Sequence, residues 1–294
     1  MITLNEAEAV EVSLSAVDRG DESKAFQALD SLTGIAADFL SENEEADAER
    51  VILSIENAAQ VAAEREMELV TINSILSLGK LARVAADKGL ESALSRAFIA
   101  IGKLGEAAAS HSLEAGSKVA ATTLMEIWNF SPEEWEQEKT IAFSLLFKEI
   151  GTSAARRGMQ DVVLNAVTCL GEIGKKSAAK SLELETVSAL LLLEEIGKIA
   201  AESYFDEALS STALSIEEIG KLSKKKELSD AVLQCQWALE TLRVQAEEKL
   251  LNNSSIVAEL ALENFANAGY TDSEEKVEKF REIKALQEKI QSNL

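Results

Sequence analysis

The sequence predicts an all-α protein, an α–α superhelix or solenoid of about 12–13 antiparallel helices. Three observations predict it. The composition is helix-forming with a single proline, one segment returns every 23 residues, and each copy ends in a similar break.

Ala, Leu, Glu, Lys and Ser dominate the 294 residues, with 47% hydrophobic residues, fourteen glycines and one proline, Pro132. Strand-rich domains need more turn punctuation than this. The net charge is −22, and residues 1–68 hold seventeen Asp/Glu against four Lys/Arg. Such a surface repels phosphate backbones and anionic membranes, so neither nucleic acid nor a lipid surface is an expected partner. Cys169 and Cys235 stand apart in helical, apolar settings, which reads as two buried thiols in a reducing cytoplasm. The N-terminus lacks the basic and apolar regions of a secretory signal. The longest stretch free of Asp, Glu, Lys and Arg is Leu69–Gly79, too short to span a bilayer, so no transmembrane segment is expected.

The repeat is read by aligning SLGKLARVAADKGL from Ser77, AIGKLGEAAASHSL from Ala100, EIGTSAARRGM from Glu149, EIGKKSAAKSL from Glu172, EIGKIAAESYF from Glu195 and EIGKLSKKKEL from Glu218. Gly79, Gly102, Gly151, Gly174, Gly197 and Gly220 then share a position, and four of their five intervals are 23 residues. Placing Trp128 on the same position resolves the fifth, at the cost of a three-residue insertion between Gly102 and Trp128. The register extends outward through Glu56, Thr33 and Val10, and through Arg243 and Ala266. At 100° per residue, 23 residues leave a helix about 140° out of phase, so one continuous coiled coil could hold no seam. Each unit must therefore break. The breaks lie about eight residues after each glycine and read DKGLES, SHSLEA, RRGMQD, KKSLEL, ESYFDE and KKELSD. Basic residues before the break and acids after it complement the helix dipoles. Each helix is then about 18 residues, or about 27 Å.

Leu192, Leu193, Ile196, Ile199 and Ala200 show the broad apolar face of such a helix, and Glu194→Lys198 and Glu217→Lys221 are i→i+4 pairs. A mid-helix glycine costs about 1 kcal/mol against alanine, so its recurrence predicts close backbone approach where helices cross. Neighbours joined by short turns pack antiparallel, two units make a 46-residue hairpin, and hairpins stack. With this period and the EIGK-type segment the chain resembles the HEAT-like and armadillo-like α-solenoid repeats. The resemblance is architectural and implies one elongated domain over 1–294: an N-terminal cap at 1–20, repeats at 21–270 and a C-terminal capping helix at 271–294, starting near Thr271 or Asp272.

Motifs for chemistry fail on their residues. LGEIGKKS, Leu170–Ser177, spaces its glycines by two rather than the four of a phosphate-binding loop and lies mid-helix. His111, the only histidine, sits in a turn and completes neither a zinc set nor a catalytic triad. The acidic run Glu42–Glu49 lacks the alternation and glycine of a calcium loop. Arg156–Arg157 and Lys224–Lys226 read as C-terminal dipole partners. In WNFSPEEW, Ser131, Pro132 and Glu134 form a capping box, with Phe130 stapled to Trp135. Trp128, standing where others have glycine, should push its neighbours apart, and it is the candidate binding residue. No catalytic, cofactor or metal residue is expected. The expected function is a non-catalytic scaffold for a protein or peptide, with a basic partner compatible with the charge but not demanded by it, and no small-molecule substrate. The alternative is a structural or regulatory cytosolic module of a larger, membrane-tethered protein.

Overall fold

A computed structural model describes residues 5–130, 137–265 and 274–294. Among them are thirteen α-helices and no strand, and the chain is a helical-repeat protein. It divides into two compact units, Met1–Glu134 and Trp135–Leu294. The first contains α1 (Glu6–Asp18), α2 (Glu22–Glu42), α3 (Glu45–Glu64), α4 (Glu68–Lys88), α5 (Glu91–Ser110) and α6 (Glu114–Phe130). The second contains α7 (Gln137–Arg156), α8 (Gln160–Ala179), α9 (Glu183–Glu202), α10 (Asp206–Lys225), α11 (Ser229–Glu248), α12 (Asn252–Glu263) and α13 (Glu274–Gln291). Within each unit, consecutive helices up to α12 pack on the next helix and on the one after it. Odd-numbered helices therefore form one row and even-numbered helices the other.

From α2 to α12 every helix starts 23 residues after the last, including α6 and α7 at residues 114 and 137. The inferred three-residue insertion is therefore absent. The error lay in the glycine alignment. Counting each helix's first residue as position 1, Gly79 and Gly102 are at position 12, whereas Gly151, Gly174, Gly197 and Gly220 are at position 15, one helical turn later. Position 15 in the first unit holds Ala36, Ala59, Ala82 and Gly105, then Trp128. Apart from Trp128 in α6 and Arg243 in α11, the common feature of the row is small size, which glycine alone does not reveal.

The glycines of position 15 fit a socket made by side chains, not by backbone approach. A Cβ on Gly174 would lie 2.5 Å from Ile219 and 3.3 Å from Ala189, and one on Gly197 would lie 2.7 Å from Leu242 and 3.1 Å from Thr212. Gly151 meets Ala166 and Ile196, and Gly220 meets Cys235 and Phe265, in the same relation. Each socket thus takes a small residue from the next helix and a long apolar one from the helix after. The missing methyl admits the second knob, which offsets the helix-propensity cost of glycine.

The turns explain the rest of the period. Residues 20, 43, 66, 89, 112, 158, 181, 204, 227 and 250 all have a left-handed backbone, φ between 58° and 79°. The next residue donates its N–H to the carbonyl five positions back, as Leu90 does to Ala85 and Leu228 to Ser223, which is a Schellman closure. That next residue (Met67, Leu90, Met159, Leu182, Phe205, Leu228 or Leu251) is also the N-cap of the following helix, and as an apolar side chain it accepts no bond from the helix's first turn. At the starts of α5, α6, α11 and α12 the acceptor comes instead from two helices earlier. Glu45, first residue of α3, accepts from the N–H groups of Ser92 (2.8 Å) and Ala93 (3.0 Å) in α5. Glu68 of α4 does the same for Ala115 and Gly116 of α6, Glu183 of α9 for Asp230 of α11, and Asp206 of α10 for Ser254 of α12. Among the described N-caps, only Asn5 and Asp21 use their own side chains, and they begin α1 and α2, which have no helix two places before them. Glu45, Glu68, Glu183 and Asp206 therefore do more than complement their own dipoles: each joins helix n to helix n+2.

Helix α4 is apolar enough over 18 residues, mean hydropathy 1.3, to meet the length and composition of a membrane span, and half of that window is buried. It packs on α2, α5 and α6. Its buried Thr71 and Ser74 hydroxyls donate to the carbonyls of Met67 and Val70. At the N-terminal end, α1 packs on α2 and α3 as later helices do on theirs. The C-terminal helix departs from expectation. It does not close the end of the array on α12 but lies back on α7 and α9. The expected start at Thr271 or Asp272 lies outside the described residues.

Candidate functional site

The site is the outer side of the odd-numbered row in the second unit, with α13 upon it. Its floor is unusually apolar for helices of a two-row array. Residues 140–147 of α7 and 185–193 of α9 are buried without interruption. A helix packed on one side only would alternate burial with exposure at a period of 3.6. The first unit shows that simpler case: Leu53, at position 9 of α3, is 40% exposed, whereas Leu145 and Leu191, at position 9 of α7 and α9, are 1% and 7% exposed. The second cover is α13.

Helix α13 reads the row backwards. The Phe280 ring meets Trp237 of α11 edge to face, centroids 5.2 Å apart. The Gln287 side-chain amide donates to the Oγ (2.8 Å) and backbone carbonyl (3.1 Å) of Ser188 in α9. The Gln291 amide donates to Glu149 of α7. From Phe280 to Gln287 the axis advances about 10 Å, close to the spacing of packed helices, so each partner helix is met by a successive stretch of α13. Phe280, Ile283, Gln287 and Ile290 face inward and are buried. Beside them an open cleft of about 360 Å³ remains, lined by Leu145, Lys148, Leu192, Lys198, Gln287 and Glu288 among others. Lys148 lies 2.8 Å from Glu149 and 3.7 Å from Glu195, and Gln234 donates to Glu194, which also pairs with Lys198.

The residues singled out from sequence fall elsewhere. Trp128 is 8% exposed, so it offers little surface to a partner. The nearby cleft of about 250 Å³ between α4 and α6 is lined instead by Gly79, Arg83, Thr123, Ile127 and Phe130, with the Arg83 guanidinium 5.0 Å from the centre of the Phe130 ring. The capping box of Ser131, Pro132 and Glu134 and the staple to Trp135 lie outside the described residues. Glu56 is 3% exposed and binds Arg96 at 2.6 Å, with Lys103 at 3.8 Å, so this acid makes a buried link between α3 and α5. His111 ends α5 as its C-cap, and among the described residues no three His, Cys, Asp or Glu side chains converge. Both cysteines are buried and free. Burial, then the charge of Glu172, pushes the Cys169 thiol up to about 12, and burial raises Cys235 further. The thiols are thus packing groups: Cys235 fills the Gly220 socket.

Sequence reasoning missed the α13 contacts. The signal was present in Thr140–Phe147 and in the four leucines at 190–193, runs too continuously apolar for a helix covered on one side.

No protein-family model matches the chain, and no curated protein matches it. Solved structures do. The DHF46 filament is 19% identical, covering 68% of this chain and 98% of its own, with a TM-score of 0.35. A circular tandem repeat protein with novel repeat topology is 15% identical, covering 96% and 71%, with a TM-score of 0.40. A de novo designed helical repeat protein is 20% identical, covering 92% and 98%, with a TM-score of 0.23.

Proposed function

We propose that the protein is a non-catalytic scaffold of the HEAT-like kind, acting in the cytoplasm and engaging a protein or peptide through the surface of its helix rows. The observation that carries this reading is α13: the odd-numbered row accepts a helix that is no part of the repeat, and accepts it through side chains of three successive helices. A surface that takes one helix crosswise has the shape and the polar anchors to take another. Two unpaired, buried thiols fit a reducing compartment. The net charge of −22 favours a basic partner over nucleic acid, through faster and more selective encounter.

The test is affinity capture from source lysate with the full chain as bait, at low and high salt, followed by calorimetric titration of each retained protein. A partner that binds saturably at one stoichiometry in both salts supports the scaffold. Retention of only salt-labile basic proteins, or turnover in a broad hydrolase and transferase screen, refutes it.

A further inference from the structure

We propose that α13 is an intramolecular occupant of a helix-receiving groove on α7, α9 and α11, and that the groove's partner is an amphipathic helix of neutral or positive charge that displaces it. The inference rests on the scaffold reading and names its surface and the chemistry of its ligand.

Four observations converge. First, α13 is outside the repeat: it packs on α7 and α9 and not on its sequence neighbour α12. Second, it is held partly by a polar anchor. Among the described side chains of α13, Phe280, Ile283, Gln287 and Ile290 are buried, and the Gln287 amide donates to the Oγ and backbone carbonyl of Ser188. A partner helix in its place would need apolar residues at the first, fourth and eleventh positions of the same spacing and an amide at the eighth. Third, α13 leaves about 360 Å³ open beside Leu145 and Leu192, so a helix with larger inward residues would fill the groove better. Fourth, the charges are complementary. Residues 274–294 hold five acidic and five basic residues, whereas residues 135–273, the rest of the same unit, hold twenty-two acidic and fourteen basic ones, a net charge of −8. An acidic helix would be repelled where a neutral or basic one is not.

The groove is particular to the second unit. At position 6 of the odd-numbered helices α3 and α5 carry Arg50 and Arg96, engaged with Asp47 and Glu56, where α7 and α9 carry Ala142 and Ser188. A helix lying across the first row would meet two guanidinium groups rather than small residues.

The experiment uses the full chain and a fluorescent peptide of sequence 274–294 as probe, read by anisotropy. In the wild type the tethered α13 competes at an effective concentration of about millimolar, so the peptide should bind weakly. Phe280→Glu with Ile283→Glu unseats α13 without touching the floor and should tighten peptide binding at least tenfold. Ile290→Asp, a milder change at the other end, should move it the same way. Adding Leu191→Arg to the floor should abolish the gain; its counterpart Leu53 is 40% exposed, so a polar residue at position 9 is compatible with folding. A peptide with Lys284→Glu and Lys289→Glu should bind at least several-fold more weakly. Equal affinity for wild type and both unseated variants, or binding that survives Leu191→Arg, overturns the proposal. So does a wild-type dimer formed by exchange of α13, seen by light scattering, which would make a second copy the occupant. Because the probe comes from this chain, its result is independent of the lysate capture: peptide binding without any captured partner would leave the groove standing and remove the scaffold reading.

Discussion

Glycine to alanine at two positions of the first unit should change stability by clearly different amounts. Gly34, in the middle of α2, is exposed, and a Cβ there meets nothing within 4 Å. Gly34→Ala should therefore stabilise by the propensity difference, about 1 kcal/mol. Gly79, in α4, gains the same term but its Cβ would lie 2.6 Å from the γ-methyl of Thr123 on α6. Thr123 is buried and β-branched, so the methyl cannot swing aside without changing the whole rotamer. Overpacking of this kind costs about 1–3 kcal/mol. The propensity terms cancel between the two variants, which leaves a predicted difference of about 1–3 kcal/mol. Native-state amide exchange over α2–α6 is the proper assay, because it reads opening free energies helix by helix and needs no two-state unfolding of a repeat array. Thr123→Ser removes only the offending methyl and should rescue Gly79→Ala with a coupling of about 1 kcal/mol or more. If Gly79→Ala stabilises as much as Gly34→Ala, or if the serine gives no rescue, the socket account of the repeat is wrong.

The other expectations concern links between helices. Glu68→Ala should cost about 1 kcal/mol, and the amide protection lost should be that of Ala115 and Gly116 on α6; loss confined to α4 would contradict capping from two helices away. In the Glu56–Arg96 pair the carboxylate is the more buried member, 4% against 25% exposed. Arg96→Met, which leaves that charge with Lys103 at 3.8 Å as its remaining cation, should therefore destabilise by about 2 kcal/mol or more, and Glu56→Met by less, in urea melts. Hydrogen bonds from the Lys24 side chain and then its backbone N–H hold the Asp21 carboxyl below its ordinary range. Its contribution is full above the unfolded pKa, near 3.9, and is lost as pH falls through the depressed folded value. Exchange at the first turn of α2 should accelerate below about pH 4 in the wild type, and Asp21→Asn should flatten that dependence. Alkylation of Cys169 by iodoacetamide at pH 8 should be slow in the native protein and rise steeply with denaturant, given a thiol pushed up to about 12; rapid native labelling would show the helix to be open.

The period, the all-helical class and the six turns that follow the aligned glycines were determined by the sequence alone. A 23-residue return is incompatible with one straight helix, and a break residue followed, in most units, by an apolar residue and then an acid is a local signal that needs no tertiary partner. Three things were decided only by packing. Which residues share a level could not be read from glycine, since Ala82 and Gly105 occupy the same socket row as Gly174 and only the neighbouring helices show that small size is the common property. The capping acids name their own helix in the sequence, but their acceptor oxygens serve a helix 46 residues on, a contact that exists only after stacking. The destination of α13 was hidden because its amphipathic pattern says that it must cover something, while the choice of α7 and α9 over α12 depends on which surface presents small, apolar residues at helix spacing. Local patterns fix where a chain turns; burial against distant segments fixes what each turn is for.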